Sequence, residues 1–152
     1  MIKLTTTGGC RCGECRYILD GVPFVVYACH CRECQKLTSS AFLTCMQIPT
    51  ESLKLTSGEP SISQRTADSG NILQTYFCDH CSSTLFAENS ARPRVRTLHV
   101  GTLDEPDLVE VKAHIWVKGK LPWVQLRPQD RIYQEAGDWR EDYVRDPGRY
   151  GE

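Results

Sequence analysis

Short apolar stretches separated by turn signals run along the whole chain. β-branched and aromatic residues concentrate in segments 24–27, 42–48, 61–66, 72–77, 95–100 and 113–117. Turn-forming pairs such as Asp20-Gly21 and Lys118-Gly119 lie between them. Segments of this length and composition are typical of strands. The pattern therefore predicts a mainly β fold.

The pattern also predicts one short helix, over residues 32–40, which begins inside a group of cysteines. No long linker or low-complexity segment divides the chain, so we expect one domain over residues 1–128. Residues 129–152 form a C-terminal extension that mixes charges with Trp139, Tyr143 and Tyr150. We expect this extension to pack on its own domain or on the partner subunit of a homodimer, and a loose tail is the alternative.

Charge and hydropathy argue against two classes of partner. The 152 residues carry a net charge of −1, whereas proteins that bind nucleic acid by neutralising phosphates usually have a clear basic excess. The longest apolar stretch, residues 22–29, is too short to cross a bilayer, and the start of the sequence lacks the apolar core of a signal peptide. We therefore expect a cytoplasmic protein with no membrane or nucleic-acid partner.

Nine cysteines are present, and in a reducing compartment this odd number favours metal binding over a disulfide framework. Cys45 lies alone in an apolar segment and is predicted to be a small buried side chain. Cys15 extends the Cys10 and Cys12 pair into a C-x-C-x-x-C pattern. The seven cysteines whose spacing metals use are Cys10, Cys12, Cys29, Cys31, Cys34, Cys78 and Cys81.

The spacing allows two ways of dividing these cysteines between metal ions. In the first, Cys10, Cys12 and Cys15 close one site with a further residue, and the cysteines of CHCREC at 29–34 complete a second site with another residue. In the second, one closed site takes its four thiolates from Cys10, Cys12, Cys78 and Cys81, which leaves a three-ligand site at Cys29, Cys31 and Cys34. Spacing alone leaves both open.

Five motifs occur in a familiar order. They are GGCRCGECRY at 8–17, CHCRECQK at 29–36, FCDHCSSTL at 77–85, VGTLDEP at 100–106 and HIWVKGKLPWV at 114–124. Together they resemble the glutathione-dependent formaldehyde-activating enzyme family, which also includes centromere protein V. The resemblance implies a β-tent fold of small antiparallel sheets with a short helix, stabilised by zinc.

The resemblance also implies two zinc ions with different ligand sets. A structural zinc would be held by Cys10, Cys12, Cys78 and Cys81. A catalytic zinc with an open position would be held by Cys29, Cys31 and Cys34.

Three positions depart from the family pattern. Cys15 stands where the family usually has an apolar residue, and Ser82 follows the FCDHC motif where a glycine is usual. The family also often has a glycine near Thr38 or Ser39. None of these changes removes a predicted ligand, although Cys15 adds a spare thiol close to Cys12.

Three thiolates on zinc leave a position for a substrate atom, and their donated charge suits a soft sulfur ligand better than hydroxide. Lys36 could balance the charge of the cluster or meet a substrate carboxylate, and a solvated lysine is the alternative. His114 and Trp123 are candidate walls of the substrate pocket, and packed structural roles are the alternative. His30 is a nominal proton donor, with a role in shaping its loop as the preferred interpretation.

We therefore expect an enzyme with a small-molecule substrate, a zinc-dependent carbon–sulfur lyase acting on a small carbonyl compound or its thiol adduct. Glutathione is the candidate cosubstrate. Two alternatives remain: a noncatalytic zinc-binding interaction module, and a redox sensor that uses Cys15 or a metal-free 29–34 cluster.

Overall fold

A computed structural model describes residues 3–136 of the chain. Its single α-helix in this part of the chain, α1, spans Arg32–Thr38. The strands are β1 Leu4–Gly9, β2 Arg16–Gly21, β3 Val25–Cys29, β4 Leu43–Pro49, β5 Leu53–Ser57, β6 Ser61–Thr66, β7 Ile72–Phe77, β8 Thr84–Asn89, β9 Val95–His99, β10 Ala113–Ile115 and β11 Arg131–Ile132. Short 3-10 turns occupy Thr50–Ser52, Val100–Thr102, Pro106–Leu108 and Val117–Gly119. The predicted mainly β fold with one short helix is confirmed.

The strands form two sheets. A three-stranded antiparallel sheet has the order β1-β2-β5, and the larger sheet has the order β11-β10-β3-β4-β9-β8-β7-β6. The larger sheet is antiparallel from β3 to β6, whereas β10 runs parallel to β3 and β11 parallel to β10. The parallel end therefore brings residues from the last part of the described chain beside β3.

The apolar side chains form two core clusters, because side chains alternate between the two faces of a strand. On β3, Val26 belongs to the first cluster, whereas Val25, Tyr27 and Cys29 belong to the second. The first cluster fills the space between the two sheets. Its members are Cys10, Cys15, Tyr17, Leu19, Val26, Met46, Ile48, Leu53, Cys78, Leu85, Phe86, Leu98, Val100 and Leu103. Each core cluster thus contains part of one predicted metal site.

Strand β11 lies inside the predicted C-terminal extension 129–152. It pairs with β10 through Ala113 opposite Arg131 and His114 opposite Ile132. Residues 137–152 lie outside the described residues, and with them the predicted contacts of Trp139, Tyr143 and Tyr150. Within residues 3–136, no helix is both long enough and apolar enough to span a membrane.

Two serines occupy backbone conformations that favour glycine. Ser39, the C-cap of α1, has φ of 51°, and Ser82 has φ of 66°. The resemblance noted from the sequence motifs places a glycine at position 82 and another near Thr38 or Ser39. The fold therefore places two serine side chains in a backbone region that disfavours them.

Ser39→Gly should stabilise the protein by about 0.5–1 kcal/mol, because glycine relieves the left-handed strain of roughly 1–2 kcal/mol but loses more chain entropy on folding. The urea midpoint of the metal-loaded protein measures the change. Ser40, the next residue, is also exposed and has a φ outside the positive range. Ser40→Gly is the matched control and should lower stability by about 0.4–1 kcal/mol. Equal effects of the two substitutions would contradict this explanation.

Candidate metal centres

Four cysteines from two turns meet at one end of the first core cluster. Their sulfur atoms all lie within 4.8 Å of one another, and the residues are Cys10, Cys12, Cys78 and Cys81. The Cys10 and Cys12 sulfurs are 3.5 Å apart, and those of Cys12 and Cys78 are 3.7 Å apart. A tetrahedral zinc with bonds of about 2.3 Å to sulfur needs sulfurs separated by roughly 3.8 Å. The four thiols therefore have the spacing of a closed tetrahedral metal site.

Hydrogen bonds hold the two turns of this cluster together. The backbone amide of Arg11 donates to Ser83 Oγ at 3.0 Å, and its guanidinium donates to the carbonyl of Cys81 at 3.3 Å. The amide of Ser82 donates to the carbonyl of Cys78 at 2.8 Å and closes the second turn. Hydrogen bonds from Ser83 lower the pKa of the Cys81 thiol to about 5. The turns thus fix the sulfurs in place, and their hydrogen bonds favour the thiolate of Cys81.

Cys15 lies beside this cluster but does not join it. Its amide donates to Cys10 Sγ at 3.2 Å, and its side chain is only 3% exposed. Burial raises the pKa of the Cys15 thiol to about 12. The structure thus brings together Cys10, Cys12, Cys78 and Cys81 rather than the alternative set that contained Cys15.

The second cluster lies where β3 leads into α1. The sulfurs of Cys29, Cys31 and Cys34 all lie within 4.8 Å of one another, with 3.5 Å between those of Cys29 and Cys31. Cys31 is the N-cap of α1, and its sulfur accepts from the amide of Cys34 at 3.4 Å. Within residues 3–136, no histidine, aspartate, glutamate or further cysteine joins these three sulfurs inside that distance. The cluster therefore offers a metal three protein ligands.

The three thiols strongly affect one another's protonation. Hydrogen bonds from Cys29 and Cys34 lower the pKa of Cys31 to about 2. The hydrogen bond with Cys31 raises the pKa of Cys29 to about 12. The hydrogen bond with Cys29 is the main cause that raises the pKa of Cys34. A bound dication would allow all three to be thiolates at once, which is why such sites exchange protons for metal.

A buried chain of polar residues starts at His30, between the first two of these cysteines. His30 Nε2 lies 2.9 Å from His114 Nδ1, and His114 Nε2 lies 3.1 Å from Asp130 Oδ2. Arg127 binds the same carboxylate through its Nε and a terminal nitrogen, the latter at 2.8 Å from Asp130 Oδ1. The guanidinium of Arg127 lowers the pKa of Asp130, so the carboxylate is charged.

Gln35, also buried, ties the second cluster to the 3-10 turn at Val117–Gly119. Its side-chain amide donates to the carbonyl of His30 at 3.0 Å and to that of Gly119 at 2.9 Å. Sequence reasoning missed Gln35, Arg127 and Asp130. No spacing signal marks them, because the contacts that connect them to the site join separate segments, Gln35 with Gly119 and Asp130 with His114. Each of these residues is distinguished by its burial or its pairing, which becomes visible only in the folded structure.

Lys36 and Trp123 lie together, while His114 lies elsewhere. Lys36 and Trp123 line a cavity of about 530 Å³ beside α1, and Trp123 is 72% exposed. The other lining residues are Arg32, Gln35, Ser39, Ser40, Ala41 and Leu121. Lys36 follows Cys34 by two residues, so it lies about 200° around the helix from it. His114 is buried in the polar chain and is not part of this cavity lining.

Comparisons with known proteins bear on the fold and on the family. The crystal structure of a Rhodobacter sphaeroides protein has a similar fold, with a TM-score of 0.53 and 17% sequence identity, covering 69% of this chain and 96% of that chain. No curated protein matches the chain. The model of the glutathione-dependent formaldehyde-activating enzyme family matches residues 5–119, which include both cysteine clusters. The chain therefore belongs to the glutathione-dependent formaldehyde-activating enzyme family.

Proposed function

We propose that the protein is a zinc-dependent carbon–sulfur lyase that joins a small aldehyde to a thiol and cleaves the adduct in reverse. The observation that carries this proposal is the three-cysteine cluster, which supplies three ligands where the other cluster supplies four. A zinc ion with four thiolates is coordinatively full, whereas one with three can accept a substrate atom. The family model adds support, since its name describes glutathione-dependent activation of formaldehyde.

The cysteine donor sets suit zinc at both clusters, because thiolates are among the ligands that zinc binds in protein sites. Cys10, Cys12, Cys78 and Cys81 would hold the structural ion, and Cys29, Cys31 and Cys34 the catalytic one. When bound, the catalytic zinc would supply a site for the thiolate and polarisation for the carbonyl. Cys31, as the N-cap of α1, and Cys34, in its first turn, orient two of the three ligands.

The reaction conserves atoms without a further reactant. The thiol sulfur forms a bond to the carbonyl carbon, the carbon–oxygen π bond opens, and the thiol proton ends on the new hydroxyl oxygen. The reverse breaks the carbon–sulfur bond and returns the proton to sulfur. Bringing thiol and aldehyde into one site accelerates such an addition by raising their effective concentration.

The charge of the cavity beside α1 favours a thiol that carries carboxylates, as glutathione does. Arg32 and Lys36 bring two positive charges to the cavity, and Trp123 offers an exposed ring. Among residues 3–136, no carboxylate contributes to its lining. We assign Lys36 and Trp123 to binding the distal part of such a thiol, because Lys36 does not face Cys34. His114, buried between His30 and Asp130, is better suited to positioning than to contact with substrate.

Exchange NMR with formaldehyde and glutathione tests the reaction. We expect the zinc-loaded protein to accelerate exchange between free glutathione and its hydroxymethyl adduct above the buffer rate. We expect a smaller acceleration for 2-mercaptoethanol, which lacks carboxylates. Lys36→Met should reduce the preference for glutathione, and Lys54→Met, a change at an exposed lysine on β5, is its control.

No acceleration for any thiol and aldehyde, in a protein shown to hold both zinc ions, would contradict the lyase proposal. That outcome would favour the noncatalytic interaction module. Equal acceleration for both thiols would retain the reaction but refute the role of the positively charged cavity.

A further inference from the structure

The polar chain from His30 to Arg127 ends beyond the residues that match the family model. That match covers residues 5–119, whereas Arg127 and Asp130 follow it. The side chain of Asp130 is 4% exposed, and His30 is fully buried. Burying a charged carboxylate is costly unless its partners compensate it. The buried carboxylate and its partners therefore lie beside the loop that carries the three-cysteine cluster.

We propose that Asp130 and Arg127 are positioning residues for the three-cysteine site, acting through His114 and His30 to set its affinity for metal. The inference rests on the proposed metal site, although it does not depend on the proposed reaction. Its basis is the direction in which hydrogen bonds can run along the chain.

The ionised carboxylate of Asp130 fixes the direction of the hydrogen bonds along the polar chain. Because Arg127 keeps Asp130 ionised, the carboxylate can only accept, and His114 Nε2 must carry the hydrogen. When each ring carries a single proton, His114 Nδ1 is then the acceptor for His30 Nε2–H. This leaves His30 Nδ1 without a hydrogen. That nitrogen is buried and has no hydrogen-bond partner among the described residues.

Hydrogen bonds running in the opposite direction would place a hydrogen on an atom that has no acceptor among the described residues. If His114 carried its proton on Nδ1, His30 Nε2 would have to accept, and the proton of His30 would move to its Nδ1. A buried N–H without an acceptor is rarer in native structures than an under-satisfied acceptor. The carboxylate of Asp130 therefore selects the arrangement in which His30 fits its present position.

The position of His30 determines the positions of two ligands. Cys29 precedes it and Cys31 follows it. The backbone of His30 is held by its amide, which donates to Ile115 at 3.0 Å, and by its carbonyl, which accepts from Gln35. Its ring packs 5.2 Å from the ring of Phe42. The ring and the backbone of His30 are thus both fixed by contacts, so a forced change in the ring would strain the loop that presents the sulfurs.

Asp130→Asn is the sharpest test, because it keeps the shape and removes the charge. The amide has one oxygen where the carboxylate offers two, so either Arg127 or His114 must face an NH2 group. We expect the metal at the three-cysteine site to be released to a competing chelator at about 10- to 100-fold lower chelator concentration. The metal at the four-cysteine site should be unchanged.

The control is Asp104→Asn, which removes another arginine–aspartate pair, with Arg16, at an exposed position. It should leave the release of both metals unchanged. Histidine side-chain 15N NMR of the unmodified protein adds a test that needs no variant. It should show both His30 and His114 protonated on Nε2. A proton on His30 Nδ1, or identical release of metal from the parent and Asp130→Asn, would overturn the proposal.

Discussion

Cys78→Ser should cost more than about 4 kcal/mol of folding stability and release the metal from the four-cysteine site. Losses of that size are typical of a lost metal site rather than of an ordinary core substitution. Cys78 is fully buried, and its sulfur meets that of Cys12 across a separation of 66 residues. A metal held there closes a long loop, which gives the folded state an entropic advantage that grows with loop length. Metal content and the urea midpoint of the purified variant measure both effects.

Cys15→Ser is the matched control for this substitution. Cys15 is 3% exposed and lies in the same core cluster beside the same sulfurs, yet it is not one of the four cysteines brought together. Its serine variant should keep both metals and lose only the roughly 1–3 kcal/mol expected for burying a hydroxyl. If Cys15→Ser released metal while Cys78→Ser retained it, Cys15 would be the ligand and the assignment of the closed site would be wrong.

The strands that the sequence predicted lie in the segments where β-branched and aromatic residues concentrate, whereas β1, β2, β5, β8 and β11 were not predicted. The segment predicted at 42–48 is β4, whose Met46 and Ile48 are fully buried. Strand β1 was missed because its sequence, LTTTGG, has almost no apolar side chains. It forms by pairing with β2, in which Tyr17 and Leu19 supply the buried face. Partner strands of this kind are set by tertiary contacts, which a local pattern does not contain.

The cysteine spacings identified the ligand candidates but not their pairing. The FCDHC turn at 77–81 meets Cys10 and Cys12 only because β7, β8 and the small sheet bring the two turns together. The three-cysteine cluster, by contrast, was readable from CHCREC, because its geometry is local to one strand end and the start of a helix. Asp130 could not be identified from the sequence, because it meets His114 only where the parallel end of the large sheet brings the two residues together.

Cys31→Ser should release one metal ion and leave a folded protein without the proposed lyase activity. The three-cysteine cluster spans only the end of β3 and the first turn of α1, so its metal closes no long loop and adds little to folding. Serine is among the best N-cap residues, so its hydroxyl can replace the sulfur that accepts from the Cys34 amide and α1 should persist. A neutral hydroxyl is a poor substitute for a soft thiolate. Metal content, the urea midpoint and the exchange assay together measure the outcome.

Cys31→Ala separates the role in the helix cap from the role in metal binding. Alanine removes the cap as well as the ligand, so it should cost about 1 kcal/mol more stability than serine while losing the same metal. Both variants should exchange formaldehyde and glutathione at the buffer rate. If Cys31→Ser kept two metal ions, or exchanged substrate as fast as the parent, the second metal would not depend on this sulfur. The contrast between three ligands and four, on which the proposed chemistry rests, would then be lost.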